Sequence, residues 1–337
     1  MASGIGSSLG FAPESVVGTP VAPTHWVEYN SESLALAKTV LQGAGLRGSG
    51  LYPRAARRVV TGRNAAGSID LDLATNKMGP LFKQMLGSST SALVSGTAYQ
   101  QVHVPGSLTG KSLTIQKLVP SDAGTSAFTY DGCKVTDWSI NCEVGAIATL
   151  SLTIDAHDEV TSFAAGTPSY AASTGVFHFG QGSVILGGTV STAAGVTSVS
   201  GGTTVGSVRA VTVSGTNPMT TSDDNQRFGG TKREQEQNDW RSLGGSLEVD
   251  FVNQAQVYDL HSADTATALV LSFVGTTAIS GAVFPTLELI VPSIRFDTGT
   301  PQVDGPDLIT LDADWTGLDN GTDPVVQVRY VTSDSAI

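Results

Sequence analysis

Residues 63–73 read Arg63-Asn-Ala-Ala-Gly67-Ser68-Ile69-Asp70-Leu71-Asp72-Leu73, and residues 241–251 read Arg241-Ser-Leu-Gly-Gly245-Ser246-Leu247-Glu248-Val249-Asp250-Phe251. The two stretches align without a gap at an offset of 178. Carboxylates alternate with aliphatics in both, so each reads as a strand with one polar and one apolar face, because side chains on a strand have a period of two. Each is followed by a segment with helical spacing of apolar residues: Asn76–Leu86, with Met78, Leu81, Phe82 and Met85, and Asn253–Ser262, with Val257, Tyr258 and Leu260. A strand and a short helix that occur twice in one chain point to a tandem duplication.

Two further blocks keep the same order. Leu152-Thr-Ile-Asp155-Ala156 resembles Ile309-Thr-Leu-Asp312-Ala313 at offset 157, and Val135–Ile140 can be laid on Val291–Phe296 at offset 156. The fall from 178 means that the first half carries some 21 extra residues, expected within 88–120 as a loop or an added hairpin. Between Glu159 and Arg209 there is no Asp, Glu, Lys or Arg, and the span is rich in Gly, Ser, Thr and Ala. These features predict a first domain over residues 1–160 with an N-terminal arm, a linker over 161–175 and a second domain over 176–337. Within the charge-free span, Gly201-Gly202 between β-prone arms is a hairpin signal.

The rest of the composition agrees with a mainly β chain. Of 337 residues 39 are Gly and only 14% are charged, which favours short strands and tight turns over helices. The net charge of −12 disfavours a protein that grips nucleic acid by its phosphates. The N-terminus, MASGIGSSLGFAPES, lacks the basic start and apolar run of a signal peptide, so synthesis in a cytoplasm is expected, with Cys133 and Cys142 as reduced, buried thiols.

A search for chemistry is nearly empty. His25, His103, His157, His178 and His261 are scattered, and no HExxH, CxxC, Walker, GxSxG or dinucleotide motif occurs. No catalytic residue, metal or cofactor is expected. The run from Asp312 to Asp323 spaces its oxygens like a calcium loop, but Leu308–Leu311 before it reads as a strand where a helix is required, so it is read as an acidic hairpin loop. Basic residues gather instead at Arg47, Arg54, Arg57, Arg58 and Arg63. Two readings stand: a solvated loop, or a subunit contact in which arginine forks pair with carboxylates. Residues 161–337, with 7 Lys/Arg and 18 Asp/Glu, could supply them.

Several stretches together carry a resemblance: Gly18-Thr-Pro-Val-Ala-Pro-Thr24 with Ser31-Glu-Ser-Leu34, the unit Gly67–Leu86, Phe128-Thr-Tyr-Asp-Gly-Cys133-Lys-Val with Gly145–Glu159, and Pro292-Ser-Ile-Arg-Phe296 through Trp315. In these the chain resembles the major tail tube proteins of long, non-contractile-tailed bacteriophages. The resemblance implies a mainly β fold of two tandem β-sandwich or barrel domains, each with a short helix, whose sheets join neighbouring subunits into a continuous multi-subunit β-barrel ring. Single-domain relatives build hexamers and tandem ones build trimers with pseudo-sixfold symmetry, so the duplication points to trimeric rings, with a hexamer as the alternative. The implied role is structural and non-enzymatic: stacked rings form the virion's tail tube, assembled in the host cytoplasm, through which DNA passes without being bound. Implied partners are further copies of the chain and the tape measure, tail terminator and tail tip proteins, with no membrane and no cofactor.

On this reading Asp70, Asp72, Glu248 and Asp250 face the lumen and repel phosphates, while Arg47, Arg54, Arg57 and Arg58 lie at subunit contacts. A capsid decoration or other β-sandwich virion protein would share the composition but gives no reason for the repeat. A carbohydrate-binding β-sandwich would call for clustered aromatics, and these make up only 7% of the chain.

Overall fold

In the computed structural model, which describes residues 3–48, 50–122, 124–172, 174–220, 224–303, 305–335 and 337, the chain is mainly β, with large antiparallel sheets. The first half opens with β1 (Ser8–Pro13), β2 (His25–Val27), β3 (Ser31–Glu32) and β4 (Ala35–Gln42), then a long loop leads to β5 (Arg58–Asp72). Helix α1 (Gly79–Leu86) follows, started by Pro80 and stopped by Gly87 at φ 102°, where a residue without Cβ turns left-handed at least cost. The chain continues through β6 (Gly87–Ser95), β7 (Ala98–Pro105), β8 (Leu113–Ser121), β9 (Gly124–Glu143), β10 (Thr149–Ala156) and β11 (Asp158–Val160).

The second half comprises β12 (Gly182–Leu186), β13 (Thr189–Ala193), β14 (Val196–Ser200), β15 (Thr203–Thr204) and β16 (Val208–Thr216). After the short β17 (Gln226–Arg227) and β18 (Thr231–Lys232) come β19 (Ser242–Asp250) and α2 (Tyr258–Ser262). It ends with β20 (Thr267–Val274), β21 (Thr286–Phe296), β22 (Thr310–Gly317) and β23 (Gln327–Thr332). Gly201-Gly202 separates β14 from β15, but these two do not form the expected hairpin: β14 pairs with β13, and β15 with β12.

Eight strands form one unbroken antiparallel layer in the order β4–β5–β10–β9–β16–β19–β22–β21, with β3 continuing the line of β4 along β5. One face of this layer is apolar, and Leu71, Leu152, Ile140, Val213, Leu247 and Phe296 on it are buried. Two outer sheets cover that face. In the first half it is β2–β1–β8 with the start of β9 and β11; in the second it is β12–β20 with the start of β21 and β23. A single buried apolar cluster runs through both sandwiches. Burial at about 25 cal/mol per Å² of apolar surface is what drives such layers together.

The strands β5 and β19 occupy corresponding places in this layer. Ser151 of β10 lies opposite Asp70, and Asp312 of β22 lies opposite Glu248, so the ladder sets Ser151 level with Asp312. The sequence match had set Asp155 there, four residues out of register. An even slip along a strand leaves every side chain on its own face, which is why the pattern could not fix it. Val135, opposite Ile154, is level with Phe296, opposite Trp315, and not with Val291; this slip is odd because the pairing of β9 with β10 carries a bulge between Thr153 and Ile154.

The extra residues of the first half are the hairpin β6–β7, which follows α1 where α2 instead leads to β20. This hairpin joins the other half: β7 pairs with β23, His103 opposite Val328. In return, the connection between β16 and β19, described over residues 217–220 and 224–241, folds back as a strap over β9 and β10 of the first half, where Gln235 bonds Gly132 O and the Asp155 carboxylate.

Candidate assembly surfaces

The outward face of the eight-stranded layer is lined by hydroxyls and carboxylates. Asp70, Asp72, Glu248 and Asp250 all lie on it, half-buried, between neighbours Ile69, Leu71, Leu247 and Val249 that point into the core. Asp70 accepts hydrogen bonds from Ser31 Oγ and Ser151 Oγ, both at 2.6 Å. Those two bonds, the Ser151 one foremost, hold its carboxyl below the usual range. Asp72 accepts from Asn30 Nδ2 at 2.7 Å. Asp250 is ion-paired to Arg209 Nε at 2.5 Å, and Glu248 lies opposite Asp312 on β22. The four therefore share one face, but three of them hold partners on neighbouring segments, Asp70 and Asp250 on strands and Asp72 at Asn30 just before β3.

The arginines lie elsewhere, on the arm formed by β4, β5 and the loop between them. Arg47, Arg54, Arg57 and Arg58 are exposed, among apolar side chains that are exposed as well: Leu46, Leu51 and Tyr52 stand almost fully in solvent. Arg63, at the base of the arm, pairs with Asp158 at 3.0 Å. Exposed leucine and tyrosine beside arginine are the residue types that fill interfaces between proteins.

A third surface is already occupied. At the junction of the halves β9 and β16 pair over seven rungs, from Thr216 opposite Asp137 to Ala210 opposite Glu143. The strap seals its end. Lys134, buried, donates to Leu108 O and Gln235 O and pairs with Glu234 at 2.5 Å; Lys232 donates to His157 O. Glu14, also buried, accepts from Ser112, Thr114 and the Gly132 N–H. Burial first, and the Glu14 charge second, push the carboxyl of Asp131 up to about 6. Sequence reading missed this seam, because its members are spread from residue 14 to 235 and have no fixed spacing.

His103 is buried beside Ser89, and burial lowers it to about 3. Cys133 and Cys142 are free and buried. Asp312 and Asp314 belong to β22, and the loop after them is tied internally, Asn320 Oδ1 accepting from the N–H groups of Thr322 and Asp323. Among the described residues no three His, Cys, Asp or Glu side chains are grouped to hold a metal ion, and no helix is long and apolar enough to cross a membrane.

A family model described as phage tail tube protein matches residues 4–317. No curated protein matches the sequence.

Proposed function

We propose, for a chain that belongs to the phage tail tube protein family and so has a structural role in the virion tail, that three copies close into each ring of the tube and that each copy supplies two tandem tube domains. The observation that carries this reading is the junction of the halves. There the last strand of one four-stranded unit, β4–β5–β10–β9, pairs with the first strand of the next, β16–β19–β22–β21. Repeating that junction between copies extends the same layer until it closes on itself.

Three copies with eight strands each give 24. Strands spaced about 4.8 Å apart and tilted by about 40° then close on a backbone circle roughly 48 Å across. Closure also removes the exposed edges that make open sheets aggregate. The apolar face is covered by the outer sheets, which leaves the polar face for the lumen. Asp70, Asp72, Glu248 and Asp250 then line the channel, and the chain's net charge of −12 suits a conduit from which DNA is repelled better than a wall that binds it.

The domains on this reading are residues 1–160 and 176–337, joined by 161–175. The arm with Arg47, Arg54, Arg57 and Arg58 reaches a neighbouring copy or ring, and the tail is of the long, non-contractile type. Further tail proteins, the tape measure, terminator and tip, meet the tube at its bore and ends. Counting subunits per ring by electron microscopy or native mass spectrometry tests the proposal. Three chains are expected; six chains per ring would mean that only one unit of each chain lines the tube.

A further inference from the structure

The two outer edges of the eight-stranded layer correspond to the two edges that pair inside the chain. Ser31 lies opposite Asp70 as Ala210 lies opposite Glu248, so Leu34 answers to Val213 and Ala37 to Thr216. Asp137 lies opposite Thr153, and the Asp297 N–H bonds Asp314 O, so Asp297 answers to Asp137 and Thr300 to Ile140. At the internal junction Thr216 faces Asp137 and Val213 faces Ile140. Transferred to the outer edges, that register sets Ala37 opposite Asp297 and Leu34 opposite Thr300.

Neither outer edge is open in the single chain. The Ser33 N–H donates to Ser68 O of β5, so the backbone of Leu34 faces away from β5, towards the free edge. Side chains of the same chain occupy it: the Leu34 N–H donates to Glu32 Oε2 at 3.0 Å, and Leu34 O accepts from Lys117 Nζ at 2.7 Å and Tyr130 OH at 2.9 Å. Lys117 and Glu32 are themselves paired at 3.1 Å.

The corresponding positions at the sealed junction are all aliphatic. Glu32 answers to Val211. Ile115 opposite Tyr130 and Leu269 opposite Val291 each follow a one-residue register shift, so Tyr130 answers to Val291 and Lys117 to Leu271. Val211, Leu271 and Val291 are buried. Polar caps thus stand only where the edge lacks a strand partner.

The other edge is withdrawn. On β9 the residues after Asp137 run on between β10 and β16, but β21 leaves its ladder with β22 at Asp297. Residues 298–303 turn towards α2, with Gly299 against His261, whose Nδ1 is 3.0 Å from Phe296 O. Pro301 answers to Asn141. The Val144 N–H donates to Arg209 O, so even-numbered residues of β9 point their N–H groups at β16 and odd-numbered ones at β10. Pro301 therefore lacks the donor that would face β22, which weakens that ladder and costs nothing on the side of an incoming strand.

We propose that the chain keeps both edges of its own sheet closed, and that a second copy of the chain opens them, its β3–β4 edge pairing with residues 297–303 in the register Ala37 to Asp297 and Leu34 to Thr300. The proposal rests on the tail tube reading. Glu32 and Lys117 swing away, and backbone groups of the neighbour take over Leu34, as Ile140 does for Val213.

Two variants test it. Glu32→Val with Lys117→Leu, which installs the junction's own residues, is expected to lower the protein concentration at which tubes appear by about tenfold, the equivalent of about 1.4 kcal/mol. Ala37→Cys with Asp297→Cys is expected to give disulfide-linked multimers on oxidation of assembled tubes, and Ala37→Cys with Arg295→Cys is not. An unchanged or raised threshold in a folded capless variant, or cross-linking in the second cysteine pair alone, overturns the inference and leaves the tube assignment standing. Should the capless variant fail to fold by circular dichroism, the cysteine pairs decide. Wild-type protein that never forms rings or tubes counts against the tube reading itself.

Discussion

Gly67 and Gly245, matched in the repeat, both stand where a neighbouring strand leaves no room for a side chain. A Cβ on Gly67 would lie 2.6 Å from the backbone of Ser33 and Leu34, and one on Gly245 would lie 2.0 Å from Thr212 O. Gly67→Ala and Gly245→Ala are each expected to cost about 1–3 kcal/mol in denaturant unfolding, while Gly206→Ala, with open space around it, changes little. The repetition of these glycines was visible in the sequence. Their cause was not, because it lies in strands more than thirty residues away.

Asp131 makes a second prediction at this scale. Its carboxyl, pushed up to about 6 from an ordinary 3.8, favours the protonated form in the folded chain. Its contribution to stability is thus fully present below pH 4 and is lost as the pH rises through 6. Asp131→Asn keeps an oxygen for the Asp158 N–H. It is expected to raise the melting temperature at pH 7.5, by on the order of 1 kcal/mol in stability, and to leave it unchanged at pH 4.

At the scale of elements, what was legible depended on how local the cause was. Alternation gave β5 and β19 their faces, and Met78, Leu81, Phe82 and Met85 placed α1, all four being buried against the core. The second helix is shorter than its spacing suggested, five residues from Tyr258, because Asn253 to Val257 make a separate turn. The surplus after α1 was expected as a loop or an added hairpin and is the hairpin, but its attachment to β23 was not legible, since strand pairing is chosen over distances no local pattern records. The arm between β4 and β5 was legible as a basic loop, and its extension into solvent exposes Leu46, Leu51 and Tyr52 beside the arginines. Replacing Arg54, Arg57 and Arg58 together by Gln is expected to impair tube formation, seen by negative-stain microscopy, with an unchanged circular dichroism spectrum. A single replacement shows little, as exposed pairs contribute only about 0–1 kcal/mol each.

For the whole molecule, the polar face of the eight-stranded layer is the feature with the widest reach. Asp70, Asp72, Glu248 and Asp250 replaced together by Lys are expected to yield tubes that retain DNA at low salt and release it as salt rises, measured by co-sedimentation. Tubes that bind no DNA in any salt would place these residues on the outer wall. The register of the block Leu152–Ala156 was misjudged for the same reason that Ile69, Leu71, Leu247 and Val249 could be assigned to the core: period two fixes sides and leaves even slips free.

The exchange of β6–β7 for the strap between β16 and β19 has a consequence for how errors are avoided. Each half carries a piece that packs on the other, which makes the two a keyed pair. In the proposed ring, first half would then alternate with second, because two first halves side by side would present β23's place without β23. A cut within 161–175 should therefore leave the two fragments together on a sizing column, held by the exchange together with the β9–β16 junction and the shared core, and fragments that part would show that the peptide link, not the keying, enforces the order.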